Sequence, residues 1–495
     1  MQASPVVHQD QSETTPRRQL TLVDSTCIIV GIIVAAAIYR SSPVVAAQAP
    51  GEFWLLGFWL LGGLLSLVGA LCYVELATAF PHEGGDYIYL TRAFGRPTGF
   101  VFGWSQLWIV RPGSIGAMAY AFADYANRIW PQAEGNRAML VTLAYASGAI
   151  AALTAVNLLG IREGKWTQNI LTAVKILGLL AVISVGLSCV APVDSQDAVS
   201  AASLDSTSEA RSDSAVEPAT MTTDSTAATS ADSSPARPPQ LSLGAFGFAM
   251  ILVLFAYGGW NEMAFVSAEV QNPHRNILRA LLLGTVAVMV VYLLVNMAFL
   301  HALGLRGACH ATAAADVLAL AIGPWAGRTI SLLICISALG AINGQIITGA
   351  RIYYAMGNDH RLYGWLGRWD ARRGQPIRSL WIQGAITLAL VIGFGLYPNG
   401  FERMVIFTTP AFWFFLMLVS VSVFVLRYRE PNVERPFRVP GYPLTPVLFG
   451  LSCAFMVYSS VSYAIEKSSW EAIWSIAFLF LGVAMSLCDP AARRS

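Results

Sequence analysis

Apolar stretches long enough to cross a bilayer recur along the whole 495-residue chain. They lie near 26–48, 54–80, 98–123, 138–160, 167–190, 243–267, 280–302, 326–350, 379–397, 403–426, 444–464 and 469–487. A membrane helix needs about 20 predominantly apolar residues, so the pattern predicts an all-α polytopic membrane protein with about 12 transmembrane helices. Charge supports this. Only 12% of residues are charged and 55% are hydrophobic, whereas a soluble domain carries about 25% charged residues. Too few charges are present to face water over a chain of this size. Disordered, collagenous, coiled-coil and disulfide-stapled classes are excluded on the same grounds.

Arginine placement orients the spans. With the N-terminus inside, the cytoplasmic loops hold Arg92, Arg96, Arg162, Lys165, Arg275, Arg279, Arg361, Arg368, Arg372, Arg373 and Arg378, then Arg427, Arg429, Arg435 and Arg438. The outer loops hold only Arg128, Arg137, Arg211, Arg237, Arg306 and Lys467. Both termini are therefore expected in the cytoplasm, as the tails 1–25 and 489–495. The polar first residues lack the apolar core of a secretory signal. Residues 191–240 are rich in Ser, Thr, Ala and Asp with almost no aromatics. Such a segment cannot bury enough apolar surface to offset its ordering entropy, and it is expected to be a disordered outer loop. The net charge of +2 and the lack of a basic, aromatic-interleaved cluster argue against a nucleic-acid partner. The seven cysteines are scattered without CxxC spacing and read as small buried apolar residues. A Cys189–Cys309 disulfide is left open.

Three features break the apolar monotony. The first is Gly258–Gly259 in the middle of GFAMILVLFAYGGWNEMAFVSAEV. Each glycine costs a helix interior about 1 kcal/mol relative to Ala. Two together predict a helix that unwinds at mid-depth, which a bilayer tolerates only around a protein-lined cavity. Close packing through small residues is the competing reading. The second is Lys175, within span five. An intramembrane lysine costs at least about 2.5–3.5 kcal/mol. Either it snorkels to the cytoplasmic face, or it is a buried ammonium bonded to helix-end carbonyls. The third is Arg111, followed by Pro112 and Gly113, where a local helix break is expected with Arg111 bonding the freed carbonyls. No HExxH, Cys/His metal spacing, phosphate-binding GxxxxGK or GxSxG occurs. No enzyme, metal or cofactor is expected.

Several segments together resemble the amino acid–polyamine–organocation transporter superfamily, most closely its L-type amino acid transporter branch. They are VELATAFPHEGGDYIYLTRAFG, RPGSIGAMAYAFADY, TAVKILGLL, FAYGGWNEMAFVSAEVQNPHRNI, NGQIITGARIYYAMGNDHRLYG and ERPFRVPGYPLTPVLFG. The resemblance covers about 25–488 apart from the outer loop. It implies a five-plus-five inverted-repeat fold, with 26–190 as the first repeat, 241–427 as the second and 428–488 as two peripheral spans. Spans one and six would both be broken at the midplane. It further implies that a substrate carboxylate meets amides around Ala35, Ala36 and Ala37. The ammonium would meet carbonyls of Ile33, Phe255 and Gly258, beside Gly259. The Phe255 ring would gate the site, Asn261 would hold the break, and Lys175 would occupy the position that binds sodium in sodium-coupled relatives.

Two departures from the family pattern stand out. The Gly-Ser-Gly-like stretch of span one is replaced by Ala35–Ala37, which resists unwinding and disfavours positive φ. Pro43 is expected to end or kink the region that follows. The outer loop between spans three and four (DYANRIWPQAEGNRA) has no cysteine, so a disulfide-linked heavy chain is not expected. The expected partners are an amino-acid substrate and the lipid bilayer. The expected function is sodium-independent transport of neutral amino acids across the plasma or inner membrane, as exchanger or proton-linked permease. No acidic group is expected in the pocket, and Glu269 is read as a gating or structural partner at the inner end of span six. An amine or polyamine transporter on the same fold, or a non-transporting amino-acid sensor, are the alternatives.

Overall fold

The computed structural model describes residues 18–130, 136–189, 243–397, 399–466 and 470–488. The loop 191–240 and the tail 489–495 lie outside them, as does most of the tail 1–25. Sixteen α-helices follow in chain order: α1 Leu22–Ile33, α2 Ala37–Gln48, α3 Glu52–Ala79, α4 Asp86–Phe94, α5 Arg96–Ser105, α6 Arg111–Ile129, α7 Asn136–Leu159, α8 Ile161–Ser188, α9 Leu243–Ala256, α10 Pro273–Ala308, α11 Ala313–Ile322, α12 Ala326–Asp359, α13 Ile377–Phe394, α14 Gly400–Arg429, α15 Leu444–Glu466 and α16 Trp470–Cys488. Among the described residues there is no strand, only the isolated bridges Leu20↔Val270 and Asp370↔Gln375.

Ten described helical segments are long and apolar enough to cross a membrane, and α1 with α2 make an eleventh as a pair bent by 46°. The third expected span, Arg96–Ile129, is continuous but too polar to join them. It is enclosed by other helices, and its buried face carries Gln106 and Arg111; a helix that faces protein has no need of an apolar surface. Lipid-facing helices show the opposite pattern. On α15, Leu444, Leu451, Tyr458 and Ile465 recur every seventh residue and are 63–73% exposed. A stripe of this kind needs an apolar solvent, and the protein is an integral membrane protein.

The structure corrects several sequence expectations. Helix α12 runs nine residues past the expected end at 350 because its last turns are buried by protein around Arg351 and Tyr353. The short helices α4 and α11 were not legible as apolar spans. Pro112 does not break its helix. Proline offers no N–H and crowds the carbonyl four residues back; the backbone accommodates this with a π-turn over Gln106–Val110, so that the Arg111 N–H reaches the Gln106 carbonyl. Helix α2 likewise runs past Pro43 to Gln48. All seven cysteines are unpaired, and only Cys72, Cys335 and Cys453 are buried.

Candidate functional site

Two interrupted spans meet at mid-depth. The first is α1–α2. Val34 has φ −74° and ψ 76°, and the Ala35 N–H bonds the Ile33 carbonyl at 2.7 Å. That is an inverse γ-turn. It bends the helix path at negative φ, which is why alanines suffice where glycines were expected. Helix α2 then starts at Ala37, and the first four N–H groups of a helix have no intrahelical acceptor.

The second is α9, which stops at Ala256; a 3-10 helix then runs over Trp260–Glu269. Ten residues is long for 3-10 geometry, which seldom lasts more than 3–4 residues. Gly259 joins the two pieces at φ +117°, a left-handed conformation that glycine adopts without penalty. A Cβ at Gly259 would also stand 2.8 Å from Ile32 Cγ2. The glycine pair thus serves both readings, helix break and close packing, since the two broken spans touch there. The Tyr292 hydroxyl ties their ends together, lying 2.9 Å from the Ile33 carbonyl and 3.3 Å from that of Ala256. The Ile33 carbonyl expected to face substrate is therefore already shared between Ala35 and Tyr292.

Between the breaks lies a cavity of about 120 Å³. At about 10–15 Å³ per water-sized position, it has room for roughly ten heavy atoms, the size of a small or medium amino acid. Of the expected site residues, Ile33, Ala35, Ala37, Phe255, Gly258, Gly259 and Asn261 line it; Ala36 does not. Lys175 lies behind the wall. It is 1% exposed, and its Nζ donates to the carbonyls of Gly31 at 2.7 Å, Val34 at 2.9 Å and Ser337 at 3.1 Å. It does not snorkel. A Cβ at Gly340 would come within 2.7 Å of Nζ, so that glycine makes room for the ammonium between α8, α1 and α12.

The cavity also holds groups the sequence reading missed. Asp86, Glu262 and Gln345 line it, which overturns the expectation of a pocket without acidic groups. Arg111 does not bond freed carbonyls. Its Nη1 meets Glu262 Oε2 at 2.6 Å, its Nε donates to Gln106 Oε1 at 3.2 Å, and its guanidinium covers the Phe265 ring at 4.8 Å. The Thr348 hydroxyl donates to the same Glu262 oxygen at 2.6 Å. Glu262 stands four residues after Gly258, so a carboxylate inside an apolar span was the available signal. Asp86 directly follows Gly84–Gly85 in PHEGGDYIYL, a stretch with no pattern that marks a cavity-lining carboxylate.

Beyond the cavity, ion pairs hold the far end of the 3-10 helix and the start of α1. Glu269 and Arg351, at 1% and 0% side-chain exposure, pair at 2.7 Å, and Arg351 also donates to the Ile347 carbonyl and to Gln375. Leu20 pairs with the end of the 3-10 helix, donating to Glu269 O and accepting from Gln271 N, each at 2.9 Å. Asp24 caps α1 in a capping box and binds Lys165 and Asn169 of α8. These contacts fasten the α1 and 3-10 segments to α8 and α12.

A membrane-embedded bundle with a small cavity between two interrupted helices is the architecture of a secondary transporter. The chain belongs to the amino acid permease family, whose model matches residues 20–484. It is 27% identical to the b(0,+)-type amino acid transporter 1 of Mus musculus, over 96% of this chain and 89% of that protein. It is 26% identical to the serine/threonine exchanger SteT of Bacillus subtilis, over 90% of this chain and 91% of that protein. It is also 26% identical to the human cystine/glutamate transporter, over 91% of this chain and 82% of that protein. The family is one of transporters, not enzymes.

Proposed function

We propose that the protein is a sodium-independent secondary transporter of amino acids, favouring neutral ones, that works by alternating access as an exchanger or proton-linked permease. The observation that carries this reading is the pairing of two broken helix ends, at Val34–Ala36 and Tyr257–Gly259, across a cavity sized for an amino acid. The α2 amides serve the carboxylate, the carbonyls around Phe255 and Gly258 serve the ammonium, and Phe255 closes over the side chain. Two inverted repeats of five spans, 26–190 and 241–427, rock about this site, with 428–488 peripheral. The Lys175 Nζ occupies the space at the α1 carbonyls and bonds them, so no sodium ion is needed. The chain works in the plasma or inner membrane with both termini cytoplasmic and without a disulfide-linked heavy chain.

One observation favours a second reading. Asp86 and Glu262 line the cavity, and alanines replace the expected carboxylate-binding glycines, which suits an amine lacking a carboxylate. Competition in proteoliposomes separates the two. Amino acids should displace a labelled neutral amino acid and their decarboxylated amines should not; displacement by amines alone would favour the second reading.

A further inference from the structure

We infer that Asp86 is a proton-binding site of the transport cycle: its carboxyl lines the central cavity and binds a proton on one side of the membrane and releases it on the other, with the amino acid. This rests on the transporter reading above and deepens it.

The geometry singles out this carboxyl. Asp86 is 2% exposed and lines the cavity. Its Oδ2 accepts a hydrogen bond from the Tyr73 hydroxyl at 2.8 Å. Its Oδ1 is buried with no partner among the described residues. A buried carboxylate with one bond is costly as an anion and inexpensive as an acid. A proton on Oδ1 removes the charge, leaves the Tyr73 bond in place on Oδ2 and gives the cavity a donor.

Asp86 is also mounted on a part of the cavity wall expected to move. Gly84 and Gly85, both at positive φ, turn the chain into α4. A Cβ at Gly85 would come within 2.6 Å of the Ala264 backbone, and the Gly84 N–H points to the Phe265 carbonyl at 3.4 Å. The carboxyl therefore rides against the 3-10 half of the broken sixth span. Displacement of that half changes what the carboxyl faces.

The surrounding groups set its affinity. Tyr73 approaches from α3, Tyr89 from α4 itself, Glu262 from the 3-10 helix and Arg111 from α6. Helix α14 also packs on α4, but it brings Arg427 and Arg429 to Glu75 and to the Ala93 carbonyl instead. Burial pushes the Asp86 carboxyl up to about 8, and Glu262 adds to this while Tyr73 and Arg111 oppose it. Both protonation states are then accessible near neutrality. Glu83 in the same loop is raised to about 7 by burial, but it does not line the cavity. The proton balance is simple. Water in the open cavity gives a proton to Oδ1, and water on the other side takes it after reorientation, so one zwitterion crosses with one positive charge.

The test uses the full chain in proteoliposomes with labelled L-serine and L-leucine and an internal pH dye. Exchange at equal pH on both sides comes first; its absence would overturn the transporter reading and this proposal with it. Net uptake under an inside-alkaline gradient comes second. A gradient of about one pH unit can drive up to roughly tenfold accumulation, and the dye should report protons entering with the amino acid. In Asp86→Asn, whatever flux remains should be flat from about pH 5.5 to 8.5, with no dye response. Tyr73→Phe removes a bond that favours the carboxylate, so the alkaline limb of the profile should move upward. A wild type that exchanges but moves no protons would overturn the proposal. So would an Asp86→Asn protein that keeps its pH response while Glu83→Gln or Lys175→Ala loses it, or a Tyr73→Phe profile that does not move.

Discussion

Lys175 Nζ donates to the Val34 carbonyl at 2.9 Å, and the Ser337 hydroxyl donates to that same carbonyl at 2.9 Å. The lysine thus holds the residue at which the first span bends. Replacing Lys175 with Ala leaves buried carbonyls short of a donor, each costing about 1–3 kcal/mol. Transport per reconstituted protein should fall at least about tenfold while membrane insertion persists, since losing an intramembrane charge eases insertion. Near-normal flux in Lys175→Ala would show that the break stands without it.

Gly259 tests the second break. A side chain there would be strained by φ +117° and would collide with Ile32. Gly258, at ordinary φ, would meet the Phe255 carbonyl at 3.2 Å and that of Leu254 at an ordinary 3.8 Å. Gly259→Ala should therefore abolish most transport, whereas Gly258→Ala should retain several-fold more. Equal effects would mean that the left-handed turn is dispensable. Initial rates of labelled uptake on matched amounts of purified protein decide.

Glu262 neutralises Arg111 inside the cavity, with both side chains under 10% exposed. Glu262→Gln leaves that guanidinium without its counter-charge, and an unpaired buried cation favours an anionic ligand. Uptake of labelled glutamate relative to serine should rise several-fold in this variant. An unchanged ratio would place the pair outside the space that senses the substrate side chain.

The Glu269–Arg351 pair, fully buried, should show itself in stability. Removing one member of such a pair costs about 3–5 kcal/mol because the other charge is left behind. Glu269→Ala should lower the detergent melting temperature by several degrees, and adding Arg351→Met should recover part of the loss. A double variant less stable than the single one would argue that Arg351 earns its place through Ile347 and Gln375 instead.

The fold was legible in the sequence because lipid imposes a simple rule, and the apolar runs obeyed it nearly everywhere. The exception, Arg96–Ile129, faces protein, and its polarity follows from that. The site was legible where the signal was conformational. Gly258–Gly259 marked a break because few other residues tolerate that backbone. The first break was harder to see because an inverse γ-turn at Val34 needs only negative φ, so Ala35–Ala37 gave no warning. Asp86 and Glu262 went unread for a different reason. Which carboxylates share a cavity depends on how α4 and the 3-10 helix dock, and Asp86 and Glu262 are 176 positions apart in the chain.

Counterflow in sodium-free proteoliposomes tests the central claim most directly. Vesicles loaded with unlabelled serine, placed in trace labelled serine outside, should accumulate label transiently above equilibrium, and Gly259→Ala vesicles should not. Label that never rises above that of protein-free vesicles, despite saturable serine binding to the purified protein, would mean that the cavity binds without transporting.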